Sequence, residues 1–274
     1  MPETLEVSSP PKSKLRLSDV SRSFHTPRGT LMALENIDLG VREGEFLCVV
    51  GPSGCGKSTL LNLMAGLDRP TTGEIWMDGR RIEGPGTDRT VIFQELGLFP
   101  WLTVQENVEF GLRTQGVAKQ ERRARSQQYL RLVHLARFET SYVHQLSGGM
   151  KQRVALARSL VTEPDVLLMD EPFAALDAQT RDLLREELAR IWAETGRTIV
   201  FVTHNVREAV RLGSRVIVLT FRPGRIKSQF TITLPRPRHL EDPELALTAR
   251  EVLAQLKEEI NKAAEAEYKY EENR

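Results

Sequence analysis

Residues 45–67 read EFLCVVGPSGCGKSTLLNLMAGL, and this stretch decides the fold. EFLCVV is almost continuously apolar, as a strand must be when both faces of a parallel sheet are covered. KSTLLNLMAGL has the character of a helix and is stopped by Gly66 and Pro70. Between them, GPSGCGKST fits G-x-x-x-x-G-K-[ST] in the strand–loop–helix context that a phosphate-binding loop requires. Its glycines let backbone N–H groups face an anion, and the helix N-terminus adds its dipole. The expected ATP contacts are Gly51, Pro52, Ser53, Gly54, Cys55, Gly56, Lys57, Ser58 and Thr59. Lys57 would reach the β- and γ-phosphates, Ser58 would ligate Mg²⁺, and Thr59 could hydrogen-bond the α-phosphate.

DVLLMDEP, residues 165–172, supplies the other chemical half. An apolar strand delivers Asp170 and Glu171 at its C-terminal end, the edge at which open α/β sheets bind ligands. Asp170 would hold Mg²⁺ through water, and Glu171 could orient and deprotonate an attacking water. These two features alone fit many phosphoryl-transfer enzymes, a small-molecule kinase included; a Glu after the Asp favours hydrolysis. Cys55 reads as a small residue that fits the loop. A bulky thiol reagent is therefore expected to block ATPase activity, and MgATP to protect it.

QLSGGMKQRVALARSL, residues 145–160, is a second cradle. Ser147, Gly148 and Gly149 run straight into a helical pattern, so bare N–H groups and a helix dipole converge on one spot. In chain order come GPSGCGKST, Gln94 in VIFQE, LSGGMKQR, DVLLMDEP, ALD ending at Asp177 and VTH ending at His204. This ordered set resembles the nucleotide-binding subunit of ABC transporters, over roughly residues 15–219. The resemblance implies an α/β P-loop NTPase with a RecA-like core, an antiparallel β subdomain and a helical signature subdomain. It also implies ATP and Mg²⁺ as cofactors, and a head-to-tail dimer with each ATP between one chain's P-loop and the other's signature segment. Ser147, Gly148 and Gly149 would thus contact nucleotide in trans, joined by Asp177 at the dimer interface. Glu171, His204, Gln94 and Lys57 form the implied catalytic set, and Ser58, Gln94 and Asp170 the metal set. His204 would contact the γ-phosphate. Phe24 holds the position of the aromatic that stacks on adenine, with His25 in FHTPRGT a competitor. Met150 departs from the commonest signature, which has Gln there.

FPWLTVQENV, LSGGMKQRVALARSL, DEPFAALDAQTR and LPRPR resemble one importer branch more closely, that of nitrate, taurine and other sulfonates, or bicarbonate. The branch implies separate permease subunits, an extracytoplasmic solute-binding protein acting indirectly, and a peripheral position on the cytoplasmic face of the inner membrane. The partner ATPase would be a second copy or a paralogue. Leu98, Phe99 and Trp101 would form core, or one wall of a groove receiving a permease helix, or both. The rival class is a soluble ABC ATPase of DNA repair or translation, without a permease.

The rest of the chain bounds these readings. Among 274 residues, 38 Lys and Arg stand against 37 Asp and Glu, a balance that argues against nucleic acid as a main partner. The two cysteines, Cys48 and Cys55, make no metal or disulfide framework. Residues 1–14 are polar and rich in Pro and Ser, the composition of a disordered leader. An ATPase domain is expected over 15–240, with its helical subdomain at about 98–160. Leu245, Ala249, Val252, Leu256 and Ile260 then fall at helical spacing in a C-terminal extension, 241–274.

Overall fold

The computed structural model describes residues 13–27, 29–239 and 241–272, with side chains through residue 266. Of the expected leader, residues 1–12 lie outside the described residues. Ser13 and Lys14 instead open the first strand, where Lys14 Nζ pairs with Asp78 at 2.7 Å and Asp165 at 3.4 Å. The chain runs β1 (Ser13–Thr26), β2 (Gly29–Arg42), β3 (Phe46–Val50), α1 (Lys57–Ala65), β4 (Thr72–Met77), β5 (Arg80–Arg81) and β6 (Arg89–Ile92). Then come α2 (Val104–Thr114), α3 (Lys119–Leu132), α4 (Gly148–Leu160), β7 (Val166–Asp170), α5 (Ala178–Thr195) and β8 (Thr198–Val202). It continues with α6 (Val206–Leu212), β9 (Arg215–Leu219), β10 (Ile226–Thr231) and α7 (Pro243–Glu272). Among the described residues, no helix is long and apolar enough to cross a membrane.

Two sheets result. The larger has the order β10-β9-β3-β8-β7-β6, parallel except for the antiparallel edge strand β10. The smaller, β2-β1-β4-β5, is antiparallel throughout. Every residue of β3 and β8 is buried, and the period-2 alternation of a strand divides their side chains between two packed clusters. Phe46, Cys48, Val50, Leu167, Met169, Ile199, Phe201, Val216 and Val218 enter one cluster, with residues of α2 through α7. Leu47, Val49, Val166, Leu168, Val200, Val202, Ile217 and Leu219 enter the other, with α1 and the small sheet. The parallel sheet is therefore the shared middle layer, and its C-terminal edge stays open for a site.

Leu245, Val252 and Leu256 of α7 are fully or almost fully buried, so the apolar stripe of this helix is part of the first cluster, whereas Ile260 is 44% exposed. LPRPR also finds a structural role. Arg238 is buried and donates to the carbonyls of Val210, Gly213, Ile232 and Leu234, satisfying orphan acceptors at the end of α6. Burial, with Arg236 nearby, pushes its guanidinium down to about 10. Arg236 lies 4.2 Å over the Trp192 ring.

Candidate nucleotide site and its second half

Register alone brings the sequence motifs together. Val49 pairs with Val202, Asp170 with Val202, and Ile92 with Met169. The loop after β3, Asp170 and Glu171 after β7, His204 after β8 and Gln94 after β6 therefore share one sheet edge. Gly56 takes φ +101 at the N-cap of α1, and a Cβ there would meet Leu34 Cδ2 at 2.7 Å, so glycine is required twice over. Lys57 is buried, its ammonium donating at 3.0 Å to the carbonyls of Gly51 and Pro52. This holds a cation at the centre of the loop. Ser53, Gly54 and Ser58 are exposed at its rim, and Thr59 is half-buried.

Cys55 turns the other way. Its side chain is fully buried in the second cluster, so close to Gly51 that a Cβ on Gly51 would lie 2.5 Å from Sγ. Burial pushes the thiol up, with Lys57 partly offsetting it, and only the backbone of Cys55 can face a phosphate. The thiol-reagent expectation changes accordingly. Native protein should lose ATPase activity to a maleimide slowly, at the rate the loop opens, while denatured protein reacts at once. Fast stoichiometric labelling of Cys55 in the folded chain would contradict this placement.

The acids stand in order beside Lys57. Ser58 donates its hydroxyl to Asp170; burial pushes the Asp170 carboxyl up, the Ser58 bond opposes this, and the Glu171 charge adds to it. A hydroxyl and a carboxylate form an all-oxygen pair that fits Mg²⁺, which takes few protein ligands and completes its octahedron with phosphates and water. Glu171 Oε1 is 4.0 Å from Lys57 Nζ, and Glu171 Oε2 lies in hydrogen-bond contact with His204 Nδ1 at 2.7 Å. Glu171 has φ 45, a left-handed backbone that costs a non-glycine residue about 1 kcal/mol. It is held there by its N–H donating to Val202 O at 3.0 Å. His204 and Gln94 are exposed.

A buried network absent from the sequence reading lies beneath His204. Glu208 accepts from Thr203 Oγ1 and, at 2.8 Å, from Arg185 Nε; Arg185 also donates to Asp182 at 2.7 Å. The pair fixes the loop between β8 and α6 against α5. Glu208→Ala is expected to destabilise the fold by about 3 kcal/mol, because it removes the buried partner of Arg185 Nε and leaves the exposed Asp182 as the guanidinium's remaining carboxylate. Thermal melting should show a loss of roughly 6–12 °C; an unchanged midpoint would remove the network from this role.

Ser147, Gly148, Gly149 and Asp177 form a second group. Ser147 is exposed and caps α4, its Oγ accepting from Met150 N at 3.3 Å, which leaves the hydroxyl proton to point outward. A Cβ on Gly149 would lie 2.5 Å from Thr180 Cγ2, and one on Gly148 3.3 Å from Leu176 Cδ2. The glycines thus bring the first turn of α4 hard against the start of α5. Asp177 caps α5 through Thr180 N at 2.9 Å, and that bond lowers its carboxyl. Met150 is half-buried against the first cluster, where an apolar thioether suits the site better than the amide of Gln. Phe24 lies half-buried on β1 with the Arg22 guanidinium 4.5 Å over its ring, and His25 beside it is exposed.

Beyond Gln94, Arg158 of α4 donates to Leu96 O at 2.6 Å and Gly97 O at 2.7 Å. Asn107, fully buried, accepts from Phe99 N at 2.9 Å and donates to the carbonyls of Phe99, Leu102 and Thr103. Leu98 packs against the first cluster, while Trp101 is left 70% exposed, 5.5 Å from the half-buried Phe99 ring.

Comparison with known proteins shows the family to which the chain belongs. Residues 34–174 match the ABC transporter family model. An uncharacterized ABC transporter ATP-binding protein of Methanocaldococcus jannaschii is 50% identical over 252 residues, 92% of this chain and 94% of the relative. The nitrate import ATP-binding protein NrtD of Synechocystis is 53% identical over 81% of this chain and 83% of its own. The taurine import ATP-binding protein TauB of Burkholderia pseudomallei is 48% identical over 82% and 86%. A dimeric ATP-binding cassette in a post-hydrolysis state, bound to ADP and Pi, superposes with a TM-score of 0.72 at 35% identity, covering 81% of this chain and 100% of that one. The chain therefore belongs to the ABC transporter family, as an ATP-binding and ATP-hydrolysing subunit.

Proposed function

We propose that two copies of this chain, or one copy and a paralogue, dock under a separate permease and power import of a small anion. The anion is of the nitrate, taurine or aliphatic sulfonate, or bicarbonate class. The observation that carries this reading is the shared edge of P-loop, Asp170, Glu171 and His204, in a chain 53% identical to a nitrate import subunit. Lys57 and the loop N–H groups bind the β- and γ-phosphates of ATP. Ser58 and Asp170, with Gln94, would hold Mg²⁺, which neutralises charge on those oxygens when bound. Glu171 accepts a proton from the water that attacks the γ-phosphorus as the bond to ADP breaks. His204 keeps the Glu171 carboxylate oriented, and Phe24 stacks on adenine.

Ser147 and the N–H groups of Gly148 and Gly149 complete the opposite site in the dimer, with Asp177 beside them. ATP thus favours the closed pair and its loss the open one; transport work comes from that differential affinity. The exposed Trp101, on a segment latched by Asn107, supports a permease contact there. The subunit would then sit peripherally on the cytoplasmic face of the inner membrane, with the extracytoplasmic solute-binding protein reached only through the permease. Uptake of labelled nitrate, taurine and bicarbonate by a deletion strain tests this directly. Loss of uptake of one anion, restored by the wild-type gene, is the expected result. Unchanged uptake of all three, with the protein purifying on nucleic acid, would favour the soluble rival.

A further inference from the structure

The turn between β9 and β10 touches three parts of the molecule at once. It is closed on itself by Thr220 N donating to Arg225 O at 2.9 Å and Thr220 Oγ1 donating to Pro223 O at 2.7 Å. On one side Gly224 N donates to Ala33 O at 2.9 Å, and Glu35 N to Gly224 O at 3.0 Å. Gly224 lies so close to the P-loop that a Cβ there would be 2.2 Å from Cys55 O. At the tip, Arg222 Nε donates to Gly54 O at 2.8 Å. On the far side, Phe221 N donates to Glu259 Oε2 of α7 at 2.9 Å.

Glu259 is an anchor built for the purpose. It is 1% exposed, and its other oxygen accepts from Lys227 at 2.9 Å and Lys262 at 2.7 Å. Burial opposes its charge, but the bonds from Lys262, Lys227 and Phe221 N hold the carboxyl down at about 2. Helix α7 cannot drift, because Leu245, Val252 and Leu256 lock it in the core. A continuous set of contacts therefore joins the C-terminal helix to the P-loop.

The chemistry at Gly54 gives this chain a consequence. Gly54 O and Cys55 N–H belong to one peptide group, and a charged donor on the carbonyl polarises the N–H. That N–H makes a long bond of 3.4 Å to Pro52 O. We propose that Arg222 is a positioning residue for nucleotide, and that helix α7 tunes nucleotide affinity by holding Arg222 on the Gly54–Cys55 peptide through Glu259. The proposal rests on residues 51–59 being the nucleotide site.

Binding of a fluorescent ADP analogue, steady-state ATPase kinetics and the melting point of nucleotide-free protein test it. Arg222→Ala should weaken ADP binding and raise the KM for ATP about tenfold, the scale of one charge-assisted hydrogen bond. The effect should fall on KM rather than kcat, with the melting point within about 2 °C of wild type. Arg222→Lys should recover part of the affinity. Glu259→Gln should weaken binding about threefold in the wild-type background and have no further effect in the Arg222→Ala background. Wild-type affinity in Arg222→Ala would overturn the proposal, as would an equal Glu259→Gln effect in both backgrounds. Lys57→Ala serves as the separate control: retained ADP binding there would overturn the site assignment itself.

Discussion

Glu171→Gln is expected to lower ATPase turnover by about 10²- to 10³-fold, the contribution of a positioned general base, while ATP binding persists. Size and shape are conserved, and the left-handed backbone at φ 45 and the bond from Glu171 N to Val202 O are main-chain features that the variant keeps. The amide oxygen can still accept from His204 Nδ1, now 2.7 Å from Oε2. Only proton acceptance is lost. Closed dimers should therefore accumulate with ATP, visible by gel filtration, and single-turnover release of phosphate should slow by the same factor. Near-normal hydrolysis would remove Glu171 from its role. Steady binding with no dimer would instead place the fault in the trans arrangement.

The second large effect tests that arrangement. Ser147→Arg is expected to abolish hydrolysis while leaving nucleotide binding at the chain's own P-loop unchanged. Ser147 is exposed at the start of α4, and its hydroxyl caps that helix; losing the cap costs about 1 kcal/mol, too little to unfold the chain. The new side chain instead fills the space where a second copy's phosphates would lie. Complementation makes the argument decisive. Lys57→Ala and Ser147→Arg chains should each be inactive alone. Mixed, they form a pair with one site intact, Lys57 from one chain and Ser147 from the other. Activity on mixing, approaching a quarter of wild type if each site works alone and chains assort at random, is the expected result. A mixture as inactive as its components would sink the composite site or show that both sites must work together; a tethered dimer with one mutated site separates these.

Much of this was legible because strands buried on both faces write themselves as apolar runs. β3, β7, β8 and β9 stand out for that reason, and register then puts the P-loop, Gln94, Asp170, Glu171 and His204 at one edge. β6 is four residues and opens with Arg89, while β10 reads IKSQFT, a half-exposed edge strand with little apolar signal. β4 is half-buried and short, and sequence alternation did not separate it from the turns around it. The contacts that position the site were illegible for a different reason. Arg185 and Glu208 are 23 residues apart, and Arg222 and Gly54 are 168 apart. Nothing in either local pattern distinguishes these charges from solvated ones. Gly149 was legible as a signature glycine but not as the close neighbour of Thr180. Met150, by contrast, is explained only by the cluster it packs against.

Helix α4 has a mechanical consequence. Ser147 caps one end, and Arg158, eleven positions on by sequence number, grips the carbonyls of Leu96 and Gly97 near the other. At 1.5 Å per residue the two are about 16 Å apart along the axis, and after the opening Gly148 and Gly149 no Gly or Pro interrupts the rod. Residues 96 and 97, a few positions ahead of Trp101, are therefore tied through an unbroken helix to the Ser147 tip. Through the Gly149–Thr180 contact the helix also reaches the start of α5. The helix is a stiff connecting strut, with its Arg158 anchor near one end and the Ser147 cap at the other.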